Sequence, residues 1–149
     1  MRRLAGIYVW HGKAYLSVEA QLQSGIWMDI EPVYCVNLNE PELVAALEKV
    51  LAAGHLRLPN PTREEVRERK DPVLAATRAR SWRELARTGA AYTISWTDKE
   101  VRVEISRLDS KGRWEYDANK RRILPPDASL SEIVSIILDD VRTRPDALK

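Results

Sequence analysis

Between Ser81 and Ile105 the spacing of apolar residues changes from helical to alternating, and the rest of the chain can be read outward from that change. Ser81 followed three residues later by Glu84 predicts a capping box, with the hydroxyl accepting from the Glu84 backbone N–H and the carboxylate reaching back to that of Ser81. The short helix it opens is expected to stop at Gly89 in the left-handed conformation. Tyr92, Ile94 and Trp96 then alternate with Ala91, Thr93 and Ser95, which is the period of a half-buried strand. Thr97, Asp98 and Lys99 make a turn, after which Val101, Val103 and Ile105 alternate with Arg102 and Glu104.

The N-terminal segment reads as a β-meander. It comprises Ile7 to Trp10, a turn at His11-Gly12-Lys13, Tyr15 to Val18, and a third strand around Ile26 to Met28. Pro32 is expected to interrupt the chain before Val33 to Val36. Asn39 with Glu42, and Pro41 in the first turn, open a helix that Gly54 closes. Leu43, Val44, Leu47, Val50 and Leu51 fall on one face of it.

The C-terminal segment follows the same grammar. A turn at Asp109 to Gly112, a strand near Trp114 to Tyr116, a turn at Asp117 to Lys120 and a short strand at Arg122 to Leu124 lead to Pro125-Pro126. Ser129 with Glu132 then caps a helix whose apolar stripe is Leu130, Ile133, Val134, Ile137, Leu138 and Val141. Gly25 and Trp27 map onto Gly112 and Trp114 at an offset of 87 positions (112 minus 25), and Asn39, Glu42 and Leu47 onto Ser129, Glu132 and Ile137 at an offset of 90 (129 minus 39). The expectation is a single α+β domain, an antiparallel β-sheet or sheets with packed helices, made of two similar sheet-plus-helix halves at 1–54 and 91–149. Whether the halves share one sheet stays open.

Residues 55–90 between them differ in kind. Pro59-Asn60-Pro61 is a stop, Thr62 with Glu65 is another capping box, and Arg63 to Lys70 is a charged surface helix with little to bury beyond Val66. Asp71-Pro72 breaks it, and Val73 to Ala76 lead back to the core. The tail after Val141, with Pro145 inside it, is expected to fray.

Charge sharpens this division. The net charge is +2 overall, but Lys and Arg against Asp and Glu count 4 to 6 over residues 1–54, 9 to 5 over 55–90 and 11 to 11 over 91–149. Only the connector is basic. Phe is absent while Trp and Tyr occur five times each, so aromatic packing must use rings whose polar ends need partners. One cysteine leaves no internal disulfide and no Cys cluster for zinc. No apolar run approaches the ~18 residues of a membrane span, and a cytoplasmic protein is the expectation.

Candidate chemistry is sparse. His11 and His55 lack neighbouring ligands at metal or triad spacing. Cys35 lies in an apolar strand and is expected to be buried and inert. Glu64/Glu65, Glu115/Asp117 and Asp139/Asp140 are carboxylate pairs of a kind common on surfaces. There is no phosphate loop, dinucleotide fingerprint or nucleophile elbow, and no catalytic, cofactor or metal residue is assigned. Arg63, Arg67, Arg69, Lys70, Arg78, Arg80, Arg83 and Arg87, with Lys120-Arg121-Arg122, could follow a phosphate backbone. Glu64, Glu65 and Glu68 compensate part of that charge, so nucleic-acid binding is the lesser expectation.

Arg78-Ala79-Arg80-Ser81-Trp82, the short helix to Gly89, the hairpin, the Gly112 and Trp114 strand and the Ser129-capped helix form a layout. It resembles the immunity proteins of contact-dependent growth inhibition systems, over Pro61 to Val141 in its motifs and over the first half in arrangement. That family's pattern has Gly three positions before the Ser, where this chain has Arg78. The resemblance implies a cytosolic α+β protein that binds and neutralises the C-terminal domain of a cognate toxin, a nuclease being one such toxin, without catalysis of its own. Inhibitors of that kind often offer acidic surface to a basic cleft. Asp29 and Glu31, with their repeat counterparts Glu115 and Asp117, are the candidate partner-binding residues. A nucleic-acid-binding or other small interaction module is the alternative, and an enzyme the third reading.

Overall fold

Two alternating hairpins, far apart in sequence, join edge to edge into one sheet. The computed structural model describes residues 2–53 and 56–149, so Gly54 as the end of the first helix and the environment of His55 lie outside the described residues. The chain runs β1 (Arg3–Trp10), β2 (Lys13–Leu22), β3 (Trp27–Asn37), α1 (Glu40–Ala52), β4 (Arg57–Leu58), α2 (Arg63–Glu68), α3 (Pro72–Thr77) and α4 (Trp82–Thr88). It continues through β5 (Ala90–Trp96), β6 (Val101–Leu108), β7 (Trp114–Tyr116), β8 (Arg122–Leu124), α5 (Leu130–Val141) and α6 (Pro145–Leu148). This is an α+β fold on an eight-stranded sheet.

The sheet order is β3-β2-β1-β5-β6-β7, with β4 beside the end of β2 and β8 beside the start of β6. Every pairing is antiparallel except the short one between β2 and β4. The order therefore reads outward from the β1–β5 seam in the same sequence on both sides. At the seam Gly6 faces Thr93 and Ile7 faces Tyr92. An offset of 87 (101 minus 14) also carries Ala14, Leu16 and Val18 of β2 onto Val101, Val103 and Ile105 of β6, and all six are buried in the same core.

That core lies on one face of the sheet, beneath α1 and α5. Strand period two turns Ala5, Ile7 and Val9 toward it, and helical period turns Leu43, Leu47 and Val50 of α1 and Ile133, Val134 and Ile137 of α5 to meet them. Leu47 and Ile137 are wholly or almost wholly buried, each contributing about 1.5–3 kcal/mol relative to exposure. The opposite face carries a second cluster in which Trp10, Val73, Ala79 and Leu85 are buried, with Tyr8, Tyr15 and Trp82 against them. The connector, α2 to α4, folds back over this face, anchored by the Trp10 indole N–H to Thr88 Oγ1 (3.1 Å).

Several local expectations are corrected. Pro32 does not interrupt a strand; β3 runs continuously from Trp27 to Asn37 and absorbs the cis Glu31–Pro32 pair at an irregularity, with Val33 opposite Ser17 and Ile30 opposite Val18. An edge strand tolerates this because the proline has no ladder bond to lose there. Ser81 accepts from the Glu84 N–H (3.1 Å), but the Glu84 carboxylate returns to the N–H of Arg80 instead of Ser81, so the box is only half closed. The box at Thr62 and Glu65 is complete.

Gly89 ends α4 in an extended conformation, φ −85° and ψ −179°, not a left-handed one. Its role is space: a Cβ there would stand 2.5 Å from the Leu85 carbonyl oxygen and 2.9 Å from that of Val9. Left-handed backbone appears instead at Arg78, φ 64°, which closes α3 by donating its N–H to Leu74 O (2.9 Å). The C-terminal tail does not fray. Ala147 of α6 is fully buried and its carbonyl accepts from the Gly12 N–H at 2.9 Å.

Candidate functional site

Alternation alone would leave the second face of the sheet in water. With the connector over it, polar side chains there become interior. Glu19 and Asp29 lie opposite one another on β2 and β3. Asp29 accepts from Ser17 Oγ and from Tyr8 Oη (3.2 Å to Oδ2), and its backbone carbonyl accepts from the Arg69 guanidinium at the end of α2. Burial pushes the Glu19 carboxyl up to about 8, with the Asp29 charge adding to it. Burial also raises Asp29 and Asp71 adds to the rise, against the Ser17 and Tyr8 hydrogen bonds and Arg69. The Tyr8 phenol is held well above its ordinary value by burial and by the same two carboxylates. Both carboxyls are thus pushed toward their protonated forms, and the bond from Arg69 to the Asp29 carbonyl ties the connector to the sheet beside them.

The four candidate acids do not share a surface. Asp29 is the interior acceptor just described, and Glu31 is exposed beside it on the β3 edge. Glu115 and Asp117 are at the opposite edge, on and after β7. Glu115 is exposed and accepts from Arg107 Nε at 3.0 Å. Asp117 is buried, caps the turn by accepting from the Asn119 N–H (3.0 Å), and lies 3.9 Å from the Arg107 guanidinium. The fold thus brings the acids together in pairs across the whole width of the sheet, and one of each pair is structural.

What the fold does assemble is basic. Arg83 and Arg87, four residues apart on one face of α4, look across a groove of about 520 Å³ to Leu108 and Gly112 of the β6–β7 hairpin. It continues into a second recess walled by Trp82, Trp114, Lys111 and Arg113. Arg80 lines the first groove and lies 4.0 Å from Glu84, a loose and exposed pair worth little in water. Arg113 is tied to Asp109 at 3.2 Å. Arg83, Arg87 and Lys111 form no ion pair with any described residue. Tyr8, Trp82 and Trp114 pack on one another at ring distances of 5.4 to 6.2 Å beneath this groove. The Trp114 indole N–H is shielded from water and has no acceptor among the described residues.

Arg80, Arg83 and Arg87 belong to the basic connector in the sequence, while Lys111 lies in a turn more than 20 positions further on. Their four-residue spacing was the available signal; the hairpin opposite was not. Glu19 was missed because its strand context reads as solvent-facing. His11 stacks on Trp10 with ring centres 4.1 Å apart. Cys35, expected inside, is exposed because β3 is an edge strand and the residue points away from the core. Among the described residues no group of three or more His, Cys, Asp or Glu side chains could hold a metal ion, and no helix is long and apolar enough to cross a membrane.

No protein-family model matches the chain, and no curated protein matches it. Solved structures do. A protein of unknown function from Neisseria meningitidis is similar at TM-score 0.68 and 15% identity, over 95% of this chain and 95% of that one. A chain of a CdiA-CT/CdiI toxin and immunity complex from Yersinia pseudotuberculosis is similar at TM-score 0.67 and 12% identity, over 100% of this chain and 98% of that one. The chain therefore has the fold of these proteins from end to end.

Proposed function

We propose that this protein is an immunity protein: it binds the C-terminal toxin domain of a contact-dependent growth inhibition system and neutralises it by occupying its surface, without catalysis of its own. The observation that carries the reading is the full-length likeness to a chain of a toxin and immunity complex, with no large insertion on either side. Likeness at 12% identity speaks for the fold. The role draws further support from the sequence layout around Ser81 and Trp82, which resembles that of contact-dependent growth inhibition immunity proteins.

The side chains are in keeping with an interaction protein. The most perturbed carboxylates, Glu19 and Asp29, lie under the connector with Asp29 bonded to Ser17 and Tyr8 of the sheet, while the groove at α4 offers cations with no intramolecular partner. Glu31 and Glu115 are the exposed members of the candidate acidic set; Glu31 stands open to a basic toxin such as a nuclease, whereas Glu115 would exchange its Arg107 partner for one.

The test is genetic and biochemical. A cognate toxin C-terminal domain, sought in the genes adjoining this one, should arrest growth when expressed, co-expression of this chain should restore it, and the two should purify as a one-to-one complex. A folded chain that neither protects nor binds would overturn the reading. A nucleic-acid-binding module is the second reading, favoured by the unpaired Arg83, Arg87 and Lys111. It requires oligonucleotide affinity that falls steeply with salt.

A further inference from the structure

We infer that the groove between α4 and the β6–β7 hairpin takes a carboxylate-rich segment of the partner protein; this rests on the proposed toxin-binding role. Arg83 and Arg87 stand one helical turn apart, so their guanidinium groups form a row along one wall, and Lys111 lies on the opposite side. Guanidinium groups bind carboxylates through paired parallel hydrogen bonds, and three exposed cations without an internal partner are free to make such bonds to a ligand.

A protein segment fits better than a nucleic acid. Glu84 lines the same groove, and Asp109 is bonded to Arg113 of the adjoining recess. A nucleic-acid strand carries its phosphates on the backbone at fixed spacing, whereas a peptide's carboxylates ride on flexible side chains that can turn toward the cations and away from these acids. The Trp82 and Trp114 rings are packed against Tyr8 and one another, which reduces the open ring face on which bases stack.

An octaglutamate peptide is the direct probe, titrated calorimetrically into the full-length protein beside an octathymidylate of similar charge. The wild type should bind octaglutamate, with an affinity that falls as salt rises. Arg83→Glu combined with Arg87→Glu, both exposed, should leave the melting temperature nearly unchanged and weaken binding by about tenfold or more. No binding of octaglutamate, tighter binding of octathymidylate, or an unchanged affinity in the double variant overturns the inference. Repeating the comparison with the toxin domain separates the two readings. A toxin domain that binds wild type and double variant equally removes the groove and leaves the immunity role standing. One that binds neither removes that role, and the octaglutamate titration still decides whether the groove recognises carboxylates.

Discussion

Tyr92 at the seam of the sheet donates its hydroxyl hydrogen to Asp140 Oδ2 on α5 across 2.6 Å, and Asp140 in turn accepts from Lys120 (3.1 Å) and Arg144 (2.7 Å). Arg144 also reaches the Ser106 carbonyl at 2.8 Å, so one buried carboxylate joins β5, the turn before β8 and the end of α5 to β6. Burial by itself would raise Asp140, but the hydrogen bonds from Tyr92 and Lys120 and the Arg144 charge outweigh it and hold the carboxyl below its usual value.

Removing one partner should therefore cost less than removing the hub. Tyr92→Phe is expected to lower stability by about 1–2 kcal/mol, and Asp140→Ala by about 2–4 kcal/mol because it strands Arg144 and the Tyr92 hydroxyl. Urea denaturation at neutral pH measures both. Since the folded-state value of Asp140 lies below the unfolded one, its contribution is present above the unfolded value and disappears as pH falls through the folded one. Equal losses for the two variants would show that Asp140 is not the centre of the network.

Glu19 should give the opposite pH dependence. Its folded-state value of about 8 lies above that of an unfolded glutamate, so the folded chain retains a proton that the unfolded chain releases. Stability is full below the unfolded value and declines as pH rises toward 8, by at most about 1.4 kcal/mol per pH unit from this group. Glu19→Gln should flatten most of that decline and leave the variant more stable than wild type at pH 8. Asp29, raised in the same direction, accounts for a remaining slope. Parallel stability curves from pH 5 to 8 for the two proteins would contradict this.

Arg78 occupies backbone that glycine adopts freely, at φ 64°, and its side chain is exposed. The left-handed conformation costs an ordinary residue about 1–2 kcal/mol, partly offset in a glycine by the greater freedom of its unfolded chain. Arg78→Gly is therefore expected to raise stability by about 0.5–1 kcal/mol, read from the thermal midpoint. A drop would mean that the arginine side chain makes a compensating contribution.

Gly89 makes the complementary case. Its dihedral angles suit any residue, but the Leu85 and Val9 carbonyl oxygens leave no room for a Cβ. Gly89→Ala should cost about 1–3 kcal/mol through displaced backbone. The Trp10 indole bond to Thr88 adjoins it, so the loss should be accompanied by a change in tryptophan fluorescence. A neutral substitution would show that α4 can move off β1 without penalty.

The elements that were legible in the sequence are those whose signal is local. Asn39, Thr62 and Ser129 announce helix starts because the cap is a bond between residues three apart. Tyr92 and Ile94, like Val101 and Val103, alternate because a strand with one buried face needs that period. Pro32 and Cys35 were misjudged because nothing local says that a strand is an edge, where proline is harmless and an apolar neighbourhood does not mean burial. α3 escaped notice because six residues are too few to show a period.

By itself the sequence determined the α+β class and the order of the longer strands and helices, since capping and alternation act over a few residues. Only the tertiary structure decided that β1 and β5 join the N-terminal and C-terminal segments into one sheet, that the connector covers its second face and half-buries Glu19 and Asp29, and that α4 meets the β6–β7 hairpin to bring Arg83, Arg87 and Lys111 together. Those outcomes depend on which surfaces close against one another, a choice made by packing between residues up to ~90 positions apart, for which no short-range pattern exists.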